Sequence, residues 1–381
     1  MRKEMKKLLG TGLAGLSVAA MLSGCTGTEG GADTAQVSAA DNGDAAVVGF
    51  IFVGAKDDYG YNKAAYLGSL AVEEKFGDKV KVLRSENVPE TEEASRTLEQ
   101  MIQQGATVLF PTSYGHLYPA MDVAEKHPDL VFYHQGGLEC ADNLGTYFGT
   151  IYEPYYLAGM AAGAATESDK LGFVGSFPIP QVIENINAFE LGAKAMNPDV
   201  TTTVIFTSSW SDPALQTSAA NSLIDSGCDV IAQHQDSTKT IIELCEDKGV
   251  YAVGYHADAS ELAPNMWLTA AIWKWDELFC DMVETAIEGK FDGSIYDGKY
   301  RAGIAEGVVD LASFGPSVSQ ETKDAINEVK QKMIDGTFSA FSGLIKDQNG
   351  NVVCEDGHTM TVDEAESMNY FVEGVIGTIE E

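Results

Sequence analysis

Two periodicities alternate along the chain. Val47-Val48-Gly49-Phe50-Ile51-Phe52 is an unbroken apolar run bounded by Gly54, the pattern of a strand buried on both faces. Between Thr91 and Gln104 the spacing becomes helical. Ala94, Leu98, Met101 and Ile102 fall on one face there, and Gly105 supplies a stop. Thr107-Val108-Leu109-Phe110 then reads as the next strand. Strand, helix and strand in that order predict βαβ units and a parallel sheet.

The same pattern is written again roughly 122 residues later. Val48-Gly49-Phe50-Ile51 corresponds to Leu171-Gly172-Phe173-Val174, and the Gln104 to Phe110 segment to Ser226 through Ala232. His127 to His134 corresponds to Asp247 through Gly254. The second copy opens a helix with Asp212 as N-cap and Pro213 in the first turn, and closes it at Gly227. Two similar βαβαβ halves predict an α/β protein of two doubly wound, Rossmann-like lobes. The expected boundaries are 45–150 for the first lobe, completed by about 259–295, and 151–258 for the second, completed by about 300–381.

In open parallel sheets, ligands bind beyond the carboxyl ends of the strands, so facing lobes would share a cleft lined by those loops. The nominated loops are 54–62, 112–116, 134–137, 176–181, 208–212, 234–237 and 255–260. They are rich in aromatic rings, amides and carboxylates: Asp58, Tyr59, Tyr61, Asn62, Ser113, Tyr114, Gln135, Phe177, Trp210, Gln235, Asp236 and Asp258, with Trp273 soon after. Flat aromatic faces with a few polar groups suit a small planar heterocycle, and a carbohydrate would stack on the same rings. The expected division of labour has Tyr61, Phe177 or Trp210 stacking on the ligand. Asn62, Gln235, Asp236 and Asp258 would make its hydrogen bonds.

The beginning of the chain is patterned differently. Arg2, Lys3, Lys6 and Lys7 lead into an apolar stretch from Leu8 to Leu22, then Ser23-Gly24-Cys25. That is the layout of a secretory signal peptide over residues 1–24. It resembles the bacterial lipobox, in which the cysteine is acylated and becomes the mature N-terminus. The stretch is shorter than the roughly 20 residues that span a bilayer. Residues 25–44 have almost no bulky apolar side chains and read as a flexible linker behind a lipid anchor at Cys25.

Charge and cysteine content narrow the partners. The net charge is -33, and residues 1–24 carry four basic and one acidic side chain (+3), so the rest of the chain stands at -36. Such a body will not hold nucleic acid through phosphate contacts. Cys140, Cys228, Cys245, Cys280 and Cys354 show no tight spacing and read as buried small side chains in preference to disulfides.

No arrangement demands catalysis. Gly10-Thr11-Gly12-Leu13-Ala14-Gly15 fits GxGxxG but lies in the signal segment with no strand before it. Asp347 to Asn351 is a poor calcium loop, and Asn349-Gly350 reads better as a hairpin turn. One competing reading is a divalent-metal receptor, with His134, His234, Asp236, His256 and Asp258 converging from strand ends. A nucleoside-cleaving enzyme is the other alternative. No cofactor is indicated.

An ordered set of motifs resembles the basic membrane protein family of lipoproteins over nearly all of residues 46–375. It comprises Asp58-Tyr59-Gly60-Tyr61-Asn62, Tyr156-Leu157-Ala158-Gly159, Phe189-Glu190-Leu191-Gly192-Ala193, Asp229-Val230-Ile231, Gly254 to Asp258 and Phe371 to Val375. These are substrate-binding proteins of ABC importers, so the resemblance implies a type I periplasmic binding fold with a hinge, an extracytoplasmic location and a permease partner. It places Tyr61 and Asn62 against the ligand and likens Asp258 to a ribose contact. Nucleoside binders tend to carry a lysine where this chain has Trp273, with Lys274 one residue away. The Trp210 to Pro213, Gln233 to Ser237 and Ile272 to Trp275 segments instead look like a subgroup associated with free purines. The expectation is a monomeric receptor for a purine, a nucleobase such as adenine in preference to a nucleoside.

Overall fold

The computed structural model describes residues 45–379. The signal segment, Cys25 and the rest of the linker lie outside the described residues. In chain order the first half runs β1 (Ala46–Ile51), α1 (Tyr61–Phe76), β2 (Val80–Ser85), α2 (Glu92–Gln103), β3 (Ala106–Pro111), α3 (Leu117–Ala124), β4 (Val131–Gln135) and β5 (Leu144–Gly149). The second half repeats the alternation: α4 (Tyr152–Ala165), β6 (Lys170–Gly175), α5 (Pro180–Met196), β7 (Thr201–Phe206), α6 (Pro213–Asp225), β8 (Val230–His234), α7 (Lys239–Lys248), β9 (Tyr251–His256) and β10 (Trp267–Trp273). Then follow α8 (Trp275–Ile287), β11 (Lys299–Ala302), β12 (Val309–Leu311), α9 (Gln320–Ile334), β13 (Ile345–Lys346), β14 (Val352–Cys354), α10 (Val362–Ala365) and β15 (Val375–Ile376).

The repeat read from the sequence is a repeat of topology. One sheet has the order β11-β5-β4-β3-β1-β2 and the other β12-β10-β9-β8-β6-β7-β15, so both are built on the same core with strand order 2-1-3-4-5. All pairings in the first sheet are parallel; in the second only β12, against β10, is antiparallel. The corresponding helices also start alike. The Thr91 side chain accepts from Glu93 N at the head of α2, and Asp212 accepts from Ala214 N and Leu215 N at the head of α6.

The tail divides differently from the expected boundaries. Residues 267–273, expected with the first lobe, form β10 and pair with β9 in the second sheet, Ala270 opposite Gly254. Leu268, Ala270 and Ala271 are wholly buried there, and the free edge at β9 is what can cover such an apolar run. The chain returns to the first lobe only with α8, whose Phe279 packs against Gly68 of α1, and with β11, which pairs with β5. The chain therefore passes between the sheets three times, near 150, 274 and 303–308. The passages are bonded together, Thr150 N to Ala302 O at 2.9 Å and Lys274 N to Val308 O at 2.8 Å.

Each lobe has an aromatic core. In the first, Phe279 of α8 lies 5.6, 5.0 and 5.5 Å from the rings of Phe50, Phe110 and Tyr147. In the second, Phe173 meets Tyr155 at 5.8 Å and Phe189 at 5.7 Å. There α4 and α5 cross so closely that a Cβ on Gly159 would stand 2.0 Å from Phe189 O, and one on Gly192 1.9 Å from Tyr156 O. The two motifs that looked like separate family markers are the two sides of this crossing. All five described cysteines are free thiols, and four of them are buried. Asn349-Gly350 turns the β13–β14 hairpin, with Asp347 accepting from Asn349 N and Asn351 N.

Candidate functional site

Four strands end in polar or aromatic side chains that belong to one region: Gln135 closes β4, His234 β8, His256 β9 and Trp273 β10. Rings from both lobes run through it in sequence. Tyr61, at the start of α1, meets His256 edge-on at 5.3 Å and 72°. His256 stacks on Tyr255 at 3.5 Å and 26°, Tyr255 lies 4.5 Å from His234, His234 6.0 Å from Trp210, and Trp210 5.2 Å from Phe177. Trp273 lies nearly parallel to His256 at 6.3 Å.

The loops of the two lobes also touch directly. Tyr61 N donates to Asp236 O at 2.9 Å, Thr238 Oγ1 to Tyr59 O at 2.6 Å, and Thr238 N to Asp58 O at 3.3 Å. A Cβ on Gly60 would stand 1.9 Å from Asp236 O, so the approach requires glycine at that position. Asp236 N in turn donates to Trp210 O at 2.7 Å, tying the contact to the ring series.

Burial drives the titratable groups of this seam toward their neutral forms. It pushes the His234 imidazole down to about 3 and His256 well below its usual value, with His234 adding to the second shift. The Asp236 carboxyl is raised well above the carboxylate range by burial and then by Asp58 and Glu90. The Tyr61 and Tyr255 hydroxyls are raised as well, burial again leading. Polar atoms remain without partners beside these neutral groups: Gln135 Nε2, Ser176 Oγ, Asn185 Oδ1, Tyr255 Oη and His256 Nε2. Buried polar groups are normally satisfied, so these exceptions make the seam the candidate place for a ligand's own polar atoms.

The residues nominated from sequence separate into two groups. Tyr61, Phe177, Trp210, Asp236 and Trp273 come together in the seam. The side chains of the others are hydrogen-bonded within their own loops, packed on neighbours or exposed. Asp58 accepts from Gly60 N, Asn62 N, Asn62 Nδ2 and Lys63 N at 2.8–2.9 Å, closing the head of α1. Asn62 spends its amide on Asp58 and on Gly54 N. Gln235 exchanges hydrogen bonds with Gln216 and Thr207, and the Ser113 hydroxyl donates to Glu90. Tyr59 presents its ring to Lys239, 5.7 Å away, and Tyr114 is 62% exposed. Asp258 is exposed and caps the turn after β9, accepting from Ser260 N at 2.9 Å.

The histidines do not form a cation site. His134 Nε2 bonds to Ser113 O, His234 Nδ1 to the Asn185 amide and His256 Nδ1 to the Trp273 indole. Among the described residues no three His, Cys, Asp or Glu side chains converge. Ser176, Asn185 and Tyr255 were missed as individual candidates. The polar residues Glu184, Asn185, Asn187 and Glu190 interrupting an otherwise apolar buried helix were the available signal.

Comparison with known proteins places this geometry. Residues 45–340 match the family model for Bmp, an ABC transporter substrate-binding protein, PnrA-like. A purine-binding protein of Brucella abortus is 34% identical over 86% of this chain and 92% of its own length. A putative ABC transporter glucose-binding protein of Haloferax volcanii is also 34% identical, over 93% of this chain and 87% of its own. The solved structure of an ABC transporter solute-binding protein from Conexibacter woesei has a TM-score of 0.65 at 19% identity, covering 77% of this chain and 98% of the other. That structural likeness gives the fold, two lobes of the type I periplasmic binding class.

Proposed function

The chain belongs to the Bmp family of PnrA-like ABC transporter substrate-binding proteins, and from that premise we propose that it captures a purine, a free base such as adenine in preference to a nucleoside, and delivers it to an ABC permease. It acts as a receptor and not as an enzyme. Capture would occur by closure of the lobes about the three passages, with the Asp58–Tyr61 and Asp236–Thr238 loops meeting as the cleft shuts.

One observation carries this reading: the seam is a run of aromatic rings from both lobes with buried polar atoms left unpaired among them. A buried imidazole held down to about 3 offers no charge to a phosphate or carboxylate, and Asp236 is driven toward its protonated form. An uncharged planar heterocycle with ring acceptors and N–H donors is the ligand class that fits flat rings and isolated polar atoms. The purine-binding relative in Brucella abortus supports the same choice. The base is favoured over the nucleoside because Trp273, where nucleoside binders tend to carry lysine, has its indole N–H committed to His256 and offers no cation to a ribose.

The glucose-binding name of the Haloferax volcanii relative, equal in identity, supports a sugar as the second reading. Mass spectrometry of ligand released on denaturation, followed by calorimetry with adenine, adenosine and glucose, separates them. Adenine binding that persists in both Trp210→Ala and Asp236→Ala variants at wild-type affinity would refute the site, and tight glucose binding without purine binding would refute the purine. We also propose that Cys25 carries the lipid that holds the monomer at the extracytoplasmic face of the cell membrane. Metabolic labelling with palmitate should be lost in Cys25→Ala.

A further inference from the structure

His256 carries a hydrogen-bonding state fixed by a residue seventeen positions away. Trp273 Nε1 lies 2.8 Å from His256 Nδ1. An indole N–H can only donate, so Nδ1 must be the unprotonated, accepting nitrogen. The ring is 2% exposed and sits against Tyr255 at 3.5 Å, surroundings in which a neutral imidazole is favoured over a cation. A neutral imidazole has one proton, and with Nδ1 excluded that proton is on Nε2. Nε2 is buried and makes no well-formed hydrogen bond, although the Gln235 carbonyl lies close to the ring.

The backbone supports the same assignment. His256 takes φ of +70°, a left-handed conformation that few non-glycine residues adopt. Such a residue at the end of a strand re-aims its side chain away from the alternation of the sheet. Backbone outliers held in this way cluster at ligand clamps. The position lies between Tyr61 of one lobe and Tyr255 of the other, at ring distances of 5.3 and 3.5 Å.

We propose that His256 is a specificity-determining residue of the cleft, a donor of fixed tautomer whose Nε2–H requires an acceptor on the ligand, for adenine an unprotonated ring nitrogen. Trp273 is the positioning residue that sets the tautomer. The proposal deepens the purine reading and rests on it. A purine offers several bare ring nitrogens as acceptors, whereas a hexose offers hydroxyls and a ring oxygen. An analogue in which the matching nitrogen is replaced by C–H would leave the donor buried and unsatisfied.

The test has two independent arms. In nitrogen-15 NMR of the wild-type protein, His256 should show a protonated Nε2 and a bare Nδ1 with and without ligand. Trp273→Phe should release that preference. An Nδ1–H tautomer or an imidazolium in the wild type would overturn the proposal. In the second arm, calorimetry compares adenine with its 1-, 3- and 7-deaza analogues. One analogue should bind about ten- to a hundred-fold more weakly than adenine to the wild type. His256→Ala should bind that analogue and adenine equally, and His256→Gln, which keeps a donor near the Nε2 position, should restore part of the discrimination. Equal binding of all analogues by the wild type, or an undiminished penalty in His256→Ala, would overturn it. If no purine binds the wild type, the functional reading fails, while the NMR arm still decides the state of the His256–Trp273 pair.

Discussion

Replacing Gly60 by alanine puts a methyl group where the two lobes meet. The new Cβ would stand 1.9 Å from Asp236 O, whereas ordinary contact begins at 3.4 Å, so the loops must part by 1.5 Å (3.4 − 1.9). A displacement of that size takes the 2.9 Å bond from Tyr61 N to Asp236 O out of range and strains the 2.6 Å bond from Thr238 Oγ1 to Tyr59 O. At about 1 kcal/mol for each neutral hydrogen bond, closure loses about 2 kcal/mol, or about thirty-fold in Kd. The head of α1 keeps its main support, because Asp58 still accepts from Gly60 N and Lys63 N. Calorimetry with the purine recovered from the wild type measures the effect, and denaturant unfolding of the ligand-free protein serves as the control. Wild-type affinity in Gly60→Ala would refute the reasoning, since the bound state would then not need this approach.

Other expectations follow from buried groups. Glu190 is wholly buried, its Oε2 accepting from Thr202 Oγ1 at 2.6 Å and its Oε1 without a hydrogen-bond partner. Burial outweighs Lys194, 3.6 Å away, and raises the carboxyl from 4.5 to about 7. A raised folded value favours the protonated form, so its contribution is complete below pH 4.5 and is lost as pH rises through 7. Glu190→Gln should therefore match the wild type near pH 4.5 and exceed its stability by about 3 kcal/mol above pH 7 in urea unfolding, and a pH-independent difference would contradict this. Gly192→Ala should destabilise by about 1–3 kcal/mol through the overpacked α4–α5 crossing, and an unchanged urea midpoint would show that the helices can separate freely. Asp58→Ala removes four hydrogen bonds and should lower stability by about 2 kcal/mol. Hydrogen exchange should quicken at Tyr61 to Lys63, and unaltered protection there would deny Asp58 its capping role.

The repeated strands were legible because burial on both faces writes a continuous apolar run, and two copies at one offset expose each other. The gathering of Tyr61, Phe177 and Trp210 in one seam was legible because strand-end loops of doubly wound sheets face one another. Asp58 and Asn62 were harder to assign for a physical reason. In Asp-Tyr-Gly-Tyr-Asn, a carboxylate four residues before an amide serves a ligand or its own helix head equally well, and only the folded backbone decides. Asp258 posed the same difficulty, since one residue along a turn separates a side chain facing the cleft from one facing solvent. The membership of β10 was hidden because an apolar strand does not state which open edge will receive it. The coupling of His256 to Trp273 was invisible because it spans two neighbouring parallel strands and depends on which nitrogen faces the indole.

The position of α8 orders the acquisition of structure. The core strands β1 to β5 of the first lobe are complete by residue 149, yet Phe50, Phe110 and Tyr147 receive Phe279 only when α8 arrives. Until more than a hundred further residues have emerged, that half-built sheet shows three large rings to water. A chain exported from its N-terminus would pass through such a stage with the second lobe already able to collapse beside it. Protection of the exposed aromatic face by a chaperone, or fast enough delivery of the remaining chain, thus becomes a condition for its yield. A fragment ending near residue 150 should aggregate, although every strand of the lobe's parallel core is present.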